Sequence, residues 1–257
     1  MNFEQYLSHY KNVIDKEVEG WFYPKDIIIT YGLLTEIQSD TFGGSVCEIG
    51  VAYGKSAIAI SQFRGRSKFY LYDIFDDSAK QIAEKNIAKF GNANDLIWRL
   101  QDTTQLKPET VEFETAIRFL HIDGCHEHSA VLSDLMLFSN FMTDDGIIVL
   151  DDFQDQEFPG VNSAAFEFSL SKSNWKNWRV FAIGDNKAYM CQKKYVEHYQ
   201  KSLVDYIVRA KERYSVPFTM NMGLRELLDI NVLMCDSRTI WEPKVIKESL
   251  FDKPIIG

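Results

Sequence analysis

From Ser45 onward, short apolar runs alternate with segments of helical period, and this alternation predicts an α/β sheet. Ser45 to Ile49 follows Gly43-Gly44 and gives way to a glycine-containing turn and then Ser56-Ala-Ile-Ala-Ile60, which reads as strand, turn and helix. Lys68 to Ile74 makes a second strand, and Ser78 to Phe90 a helix stopped at Gly91. Leu96 to Leu100, Ile117 to Ile122 and Gly146 to Leu150 are further strands, the last two separated by Ser129 to Phe141 at helical period. Strands joined by helices imply right-handed crossovers and a doubly wound, mainly parallel sheet.

The rhythm changes after that. Val161 to Leu170 reads as a helix, and Trp178 to Ile183 and Lys187 to Gln192 flank Gly184-Asp-Asn186, a hairpin signal that closes one sheet edge with antiparallel strands. Ahead of the sheet, residues 1–40 show helical spacing interrupted by Trp21-Phe-Tyr-Pro24 and predict an N-terminal helical cover. Behind the core at 41–194, residues 195–257 read as a helical extension, Tyr195 to Tyr214, followed by an irregular stretch with Pro217, Pro243 and Pro254. One face of that helix, with Leu203, Tyr206, Ile207 and Ala210, suits packing on its own domain or on a second copy, and a homodimer is the state carried forward.

Composition narrows the function classes. Hydrophobic residues make up 46% and charged residues 25% of 257, enough to bury a substantial core. The net charge of -9 argues against nucleic acid or an anionic membrane as partner, and for a neutral or cationic small molecule. Cys47, Cys125, Cys191 and Cys235 form no C-x-x-C pair and read as free thiols of a cytoplasmic protein, and no apolar run reaches the length of a membrane span. Most aromatics, Trp98, Trp175, Trp178 and Trp241 among them, are expected in the core.

The first strand ends at Glu48-Ile-Gly-Val-Ala-Tyr-Gly54. Glycines there let the backbone turn tightly and let a ligand approach the main chain and the free N–H groups of the next helix. A dinucleotide fingerprint would need glycine at position 52, which is Ala; a bare strand-helix turn is the simpler alternative. Asp73, at the end of the second strand, can accept from two ribose hydroxyls or cap a helix. Asp102, with Thr103 beside it, can meet an adenine amino group or serve an ordinary turn.

Val46-Cys-Glu-Ile-Gly-Val-Ala-Tyr-Gly-Lys-Ser56, Leu120-His-Ile-Asp-Gly-Cys-His126 and Gly146-Ile-Ile-Val-Leu-Asp-Asp-Phe153 together resemble the class I S-adenosylmethionine methyltransferases. Over roughly residues 18–192 they resemble more narrowly the branch of macrolide-sugar and aminocoumarin-sugar O-methyltransferases. The resemblance implies a Rossmann-like sheet of seven strands, with Glu48, Gly50 and Gly54 around the methionine and ribose of the cofactor, Asp73 at the ribose and Asp102 at the adenine. Ser56 belongs to the same motif. Tyr53 either lines the cofactor or packs on the N-terminal helix.

A second constellation bears on mechanism. Asp123 ends the fourth strand and Asp151-Asp152 the fifth, so three carboxylates share one rim and invite a hard dication such as Mg²⁺. In metal-dependent members of the resembling branch, the aspartate of an Asp-x-x-His motif and a later Asp-Asp pair hold the metal, and the histidine is the base. Here these fall on Asp123, Asp151, Asp152 and His126. The metal would lower the acceptor hydroxyl's pKa, and His126, whose ordinary pKa lies near neutrality, would take the proton. His121 and His128 lack the spacing, and His121 reads as packing. Trp21 and Tyr23, with Phe22 between them, are expected near the acceptor. The activity expected is methyl transfer to a hydroxyl of a small metabolite, a sugar or glycosylated natural product. Its rivals are a metal-independent N- or O-methyltransferase and a non-catalytic S-adenosylmethionine-binding protein.

Overall fold

In the computed structural model, residues 1–38, 43–172, 174, 176–213 and 221–236 are described. Trp175, Tyr214, Pro217, Trp241, Pro243 and Pro254 lie outside them. The chain begins with α1 (Phe3–His9), a π-helical turn and α2 (Asp15–Glu17), then α3 (Pro24–Tyr31), the predicted N-terminal cover. The core follows as β1 (Ser45–Ile49), α4 (Lys55–Phe63), β2 (Phe69–Asp73), α5 (Asp77–Phe90), β3 (Leu96–Leu100), β4 (Ile117–Ile122), α6 (His128–Phe138), β5 (Met142–Leu150) and α7 (Pro159–Leu170). The chain continues through β6 (Trp178–Gly184), β7 (Lys187–Gln192), α8 (Val196–Arg213), β8 (Asn221–Leu227) and β9 (Ile230–Asp236).

The strands form one sheet in the order β3-β2-β1-β4-β5-β7-β6-β9-β8. β3, β2, β1, β4 and β5 run parallel, and the β6–β7 hairpin joins antiparallel to β5 as expected. Two further strands lengthen the sheet beyond the predicted seven. β9 pairs parallel with β6 and antiparallel with β8, so 221–236 is a hairpin on the sheet edge where the sequence reading had an irregular tail.

Strand order reverses at β1, which lies between β2 and β4, and this sends the following helices to opposite faces. One face packs on α1, α3, α4 and α8 through Leu7, Ile28, Ile58 and Leu203; the other packs on α6 and α7 through Leu135 and Phe168. The apolar face of α8 is satisfied within its own chain. Tyr206 is buried and donates its hydroxyl to the Ile28 carbonyl at 2.9 Å. Its ring leaves no room for a side chain at Gly32, where a Cβ would come within 2.3 Å. Among the described residues no helix is long and apolar enough to cross a membrane.

Candidate active site

The turn after β1 is held by its neighbours on both sides. Gly50 (φ 83°) and Gly54 (φ 86°) are left-handed, as is Ala52 at 44°, and Gly54 caps the start of α4. Such angles cost a side-chain-bearing residue strain, which glycine avoids. Gly50 donates to the Tyr72 carbonyl at 2.9 Å. One carboxylate oxygen of Asp73 accepts from the backbone N–H of both Val51 (2.7 Å) and Ala52 (2.9 Å). Asp73 therefore braces the turn through that one oxygen. Ser56 is buried in the first turn of α4, and Tyr53 is half-buried, its carbonyl receiving Asn86 at 2.9 Å. Lys55 reaches Asp15 at 2.8 Å and the Gly20 carbonyl at 2.8 Å, pinning the N-terminal cover to the same helix end.

The acidic rim lies directly beside this turn. Asp123 donates its N–H to the Ile49 carbonyl (2.8 Å) and Asp151 donates to Ile122 (3.0 Å), so ladder bonds carry both residues to one edge. Asp152 is left-handed (φ 53°), a conformation Asp tolerates better than most residues, and its carboxylate meets His126. His126 Nε2 lies 3.0 Å from Asp152 and 3.6 Å from Asp123, and its ring packs 4.1 Å from Phe158. Burial, then the charge of Asp151, pushes the Asp123 carboxyl up to about 7. Asp123 and then Asp152 hold the His126 imidazole up at about 10, so the two carboxylates favour its protonated form. The ligating atoms of Asp123, His126 and Asp152 all lie within 4.8 Å of one another. Two converging carboxylates, one of them short of compensating charge, fit a hard dication.

Asp151 is different. It is 4% exposed and faces inward, and one of its oxygens takes Lys187 Nζ (2.5 Å), Asn186 Nδ2 (3.1 Å) and the Asp152 N–H (2.8 Å). Its other oxygen is 3.4 Å from His121 Nε2. Burial opposes ionisation of Asp151, yet Lys187 and His121 hold its carboxyl below the usual range.

A buried chain of charges thus runs under the rim, and sequence reasoning missed it. Glu48 bonds His121 Nδ1 at 2.8 Å, His121 faces Asp151, Asp151 holds Lys187, and Lys187 lies 3.4 Å from Asp26 of α3. All five are at most 4% exposed. His121 is therefore an ionic hub and not the packing residue expected. Although burial pulls its pKa down, Asp151 and Glu48 hold it at about 10. Glu48 lies wholly beneath the surface, bonded to His121 on one oxygen. Phe22 packs edge-on to His121, 6.0 Å between ring centroids, and lies under Lys187, 5.2 Å from the ring.

Trp21 (81% exposed) and Tyr23 (46%) flank Phe22 and face solvent. Asp102 is exposed and accepts from the Thr104 N–H (2.9 Å) and hydroxyl (2.6 Å), as a turn residue does. Thr103 is buried and weakly lowers the carboxyl pKa of the buried Asp134 on α6. His128 sits away from the rim, between Ser163 (2.8 Å) and Glu167 (3.0 Å).

A family model described as a methyltransferase domain matches residues 47–153, the stretch from the glycine turn to the end of the acidic rim. No curated protein matches. Among solved structures the fold is similar to cofactor-bound Rv0187 from MTB (TM-score 0.57, 13% identity, 74% of this chain and 90% of that one). It is also similar to CalS11, a TDP-rhamnose 3'-O-methyltransferase of calicheamicin biosynthesis (TM-score 0.52, 14% identity, 72% and 86%). The O-methyltransferase NovP aligns with a TM-score of 0.52 at 14% identity, over 64% of this chain and 78% of that one.

Proposed function

We propose that this protein, whose residues 47–153 match a methyltransferase-domain model, is a class I enzyme that uses S-adenosylmethionine and transfers the cofactor's methyl group to a hydroxyl oxygen of a small metabolite, a sugar or glycosylated natural product, in the cytoplasm. The observation that carries this reading is the contact between the two halves of the site. A Cβ on Gly50 would fall 1.9 Å from the Asp123 carbonyl oxygen, so the cofactor turn and the Asp123–His126–Asp152 cluster share one wall. One solved structure that this fold resembles, CalS11, is described as a TDP-rhamnose 3'-O-methyltransferase, which supports the choice of acceptor class.

The chain's own residues divide the work. The glycine turn and the start of α4 would receive the methionine and ribose of the cofactor, with the free oxygen of Asp73 on a ribose hydroxyl. Asp102 would stand at the adenine end. Asp123 and Asp152 would hold a dication such as Mg²⁺, which would supply Lewis acidity toward the acceptor hydroxyl. His126 Nε2 is placed to take the acceptor proton once the carboxylates that retain its own proton are neutralised. Trp21 and Tyr23 offer exposed rings against which a sugar face can stack. Transfer is a displacement at a methyl already activated by the cofactor, so placement and charge are what the protein contributes.

A metal-independent transfer is the second reading. It is favoured by one observation, that Lys187 and His121 already compensate Asp151. The deciding experiment uses methyl-labelled S-adenosylmethionine with a panel of nucleotide sugars and glycosylated metabolites, before and after exhaustive EDTA dialysis. Label in an O-methyl product, lost on dialysis and restored by Mg²⁺, supports the first reading; undiminished transfer selects the second. Failure to bind S-adenosylhomocysteine at millimolar concentration would remove both.

A further inference from the structure

We propose that Lys187 is a resident counter-cation of the acidic rim, occupying the Asp151 side of the site so that only the Asp123 and Asp152 side is left for a metal ion. The inference concerns how the rim is charged, and it rests on the metal-assisted reading above only for the identity of the external cation. Lys187 is 1% exposed at the start of β7. Its ammonium has two carboxylate partners, Asp151 at 2.5 Å and Asp26 at 3.4 Å, both buried, and the ring of Phe22 closes another side at 5.2 Å. Asn186, its neighbour in the chain, donates to both Asp151 (3.1 Å) and Asp152 (3.2 Å).

A buried lysine is costly unless paired, and here the pairing is what fixes the rim. Asp151 spends one oxygen on Lys187, Asn186 and a backbone N–H, and the other faces His121. Asp151 is 4% exposed, and an ion approaching it would meet the Lys187 ammonium on one oxygen and the His121 ring, 3.4 Å away, on the other. Asp123 and Asp152 are a quarter and a fifth exposed, with His126 between them, and are open to one. Asp26 brings the N-terminal cover into the same account. Lys187 is shared between the cover and the rim, and a charged Asp26 partly offsets the ammonium's effect on the rim.

Removing Lys187 should therefore strengthen binding of an external dication. A unit charge a few ångströms from the site is large enough, even well screened, to change affinity by about tenfold or more. The test is a titration of Mn²⁺ onto the full-length protein carrying S-adenosylhomocysteine, followed by the loss of the free-ion signal in electron paramagnetic resonance. Lys187→Met should bind Mn²⁺ about tenfold more tightly than wild type or tighter. Lys187→Arg should return affinity toward the wild-type value, and Asp151→Asn placed on Lys187→Met should cancel the gain. Because Lys187→Met leaves Asp26 and Asp151 buried without their cation, Asp26→Asn/Lys187→Met is made alongside it, with thermal melting as the check on folding, and should show the same gain.

Tighter Mn²⁺ binding in the folded Lys187 variants supports the inference. If wild type binds no Mn²⁺ and the variants acquire a site, the inference stands and the metal-assisted reading falls. If wild type binds Mn²⁺ and the variants bind it equally or less well, the inference is overturned and that reading survives. No binding by any of them overturns both.

Discussion

The carbonyl oxygen of Asp123 stands 1.9 Å from where a Cβ on Gly50 would begin, and Gly50 is itself at φ 83°. The glycine turn therefore cannot accept a side chain without pushing the end of β4, and with it the acidic rim, out of place. Gly50→Ala carries both a backbone penalty of roughly 1–2 kcal/mol and this collision. It is expected to abolish S-adenosylhomocysteine binding in calorimetric titration while the protein still melts cooperatively. Wild-type affinity in a folded Gly50→Ala protein would show that no ligand sits on this turn.

Asp73 holds the same turn from the other side, through the N–H groups of Val51 and Ala52. Asp73→Asn keeps an acceptor for those groups and should remain folded, but loses the charge and the acceptor that a bound ribose would use. Asp73→Ala loses both. The expected order of affinity for S-adenosylhomocysteine is wild type, Asn, Ala, with Ala at least about tenfold weaker than wild type. Equal affinities would confine Asp73 to a structural role.

Much of this site was legible because strand-end residues announce themselves. Asp123, Asp151 and Asp152 follow apolar runs directly, and a parallel sheet brings such ends to one rim. His121, Lys187 and Asp26 were not legible, since they lie in three separate elements, β4, β7 and α3, and no spacing rule connects them. Lys187 did carry a faint signal, a lysine opening a strand whose every residue is buried. The β8–β9 hairpin was missed for a different reason. Its turn is built on Leu228-Asp229 with Leu228 at φ 56°, a residue that lacks the turn chemistry by which hairpins are recognised.

Asp134 gives the fold a pH dependence away from the rim. It is 2% exposed, and burial pushes its carboxyl up to about 7, against a weaker opposing effect of Thr103. An unfolded Asp releases its proton near 3.8, so between that pH and about 7 the folded chain holds a proton the unfolded chain has lost. Its contribution to stability is full below pH 3.8 and is lost as pH rises toward about 7. Asp134→Asn cannot ionise and should melt higher than wild type, by an equivalent of roughly 1–3 kcal/mol, with a margin that widens from about pH 5 to about pH 8. A margin that is constant or narrows across that range would count against a buried, proton-retaining Asp134.

Trp21 is expected to act on the acceptor alone. It is 81% exposed, so its removal leaves no cavity, and its neighbour Phe22 is the ring packed on His121. Trp21→Ala should leave the melting temperature and S-adenosylhomocysteine affinity unchanged while raising the acceptor KM about tenfold, the scale of one lost stacking contact. An unchanged KM for every acceptor that wild type methylates would place the acceptor elsewhere on the rim.

His126 separates chemistry from binding. It touches Asp152 and Asp123 and lies outside the turn that would receive the cofactor, so His126→Ala should bind S-adenosylhomocysteine as wild type does. If its Nε2 takes the acceptor proton, turnover should fall by about 10²–10⁴ with little change in KM. His126→Asn, which can still donate a hydrogen bond to either carboxylate but cannot carry the proton at neutral pH, should be as slow as Ala. If Asn restores turnover, the ring only spaces the two carboxylates, and the proton leaves by another route. If both variants also lose S-adenosylhomocysteine, the rim and the cofactor turn fail together, as the shared wall between Gly50 and Asp123 would allow, and the residue's part is structural.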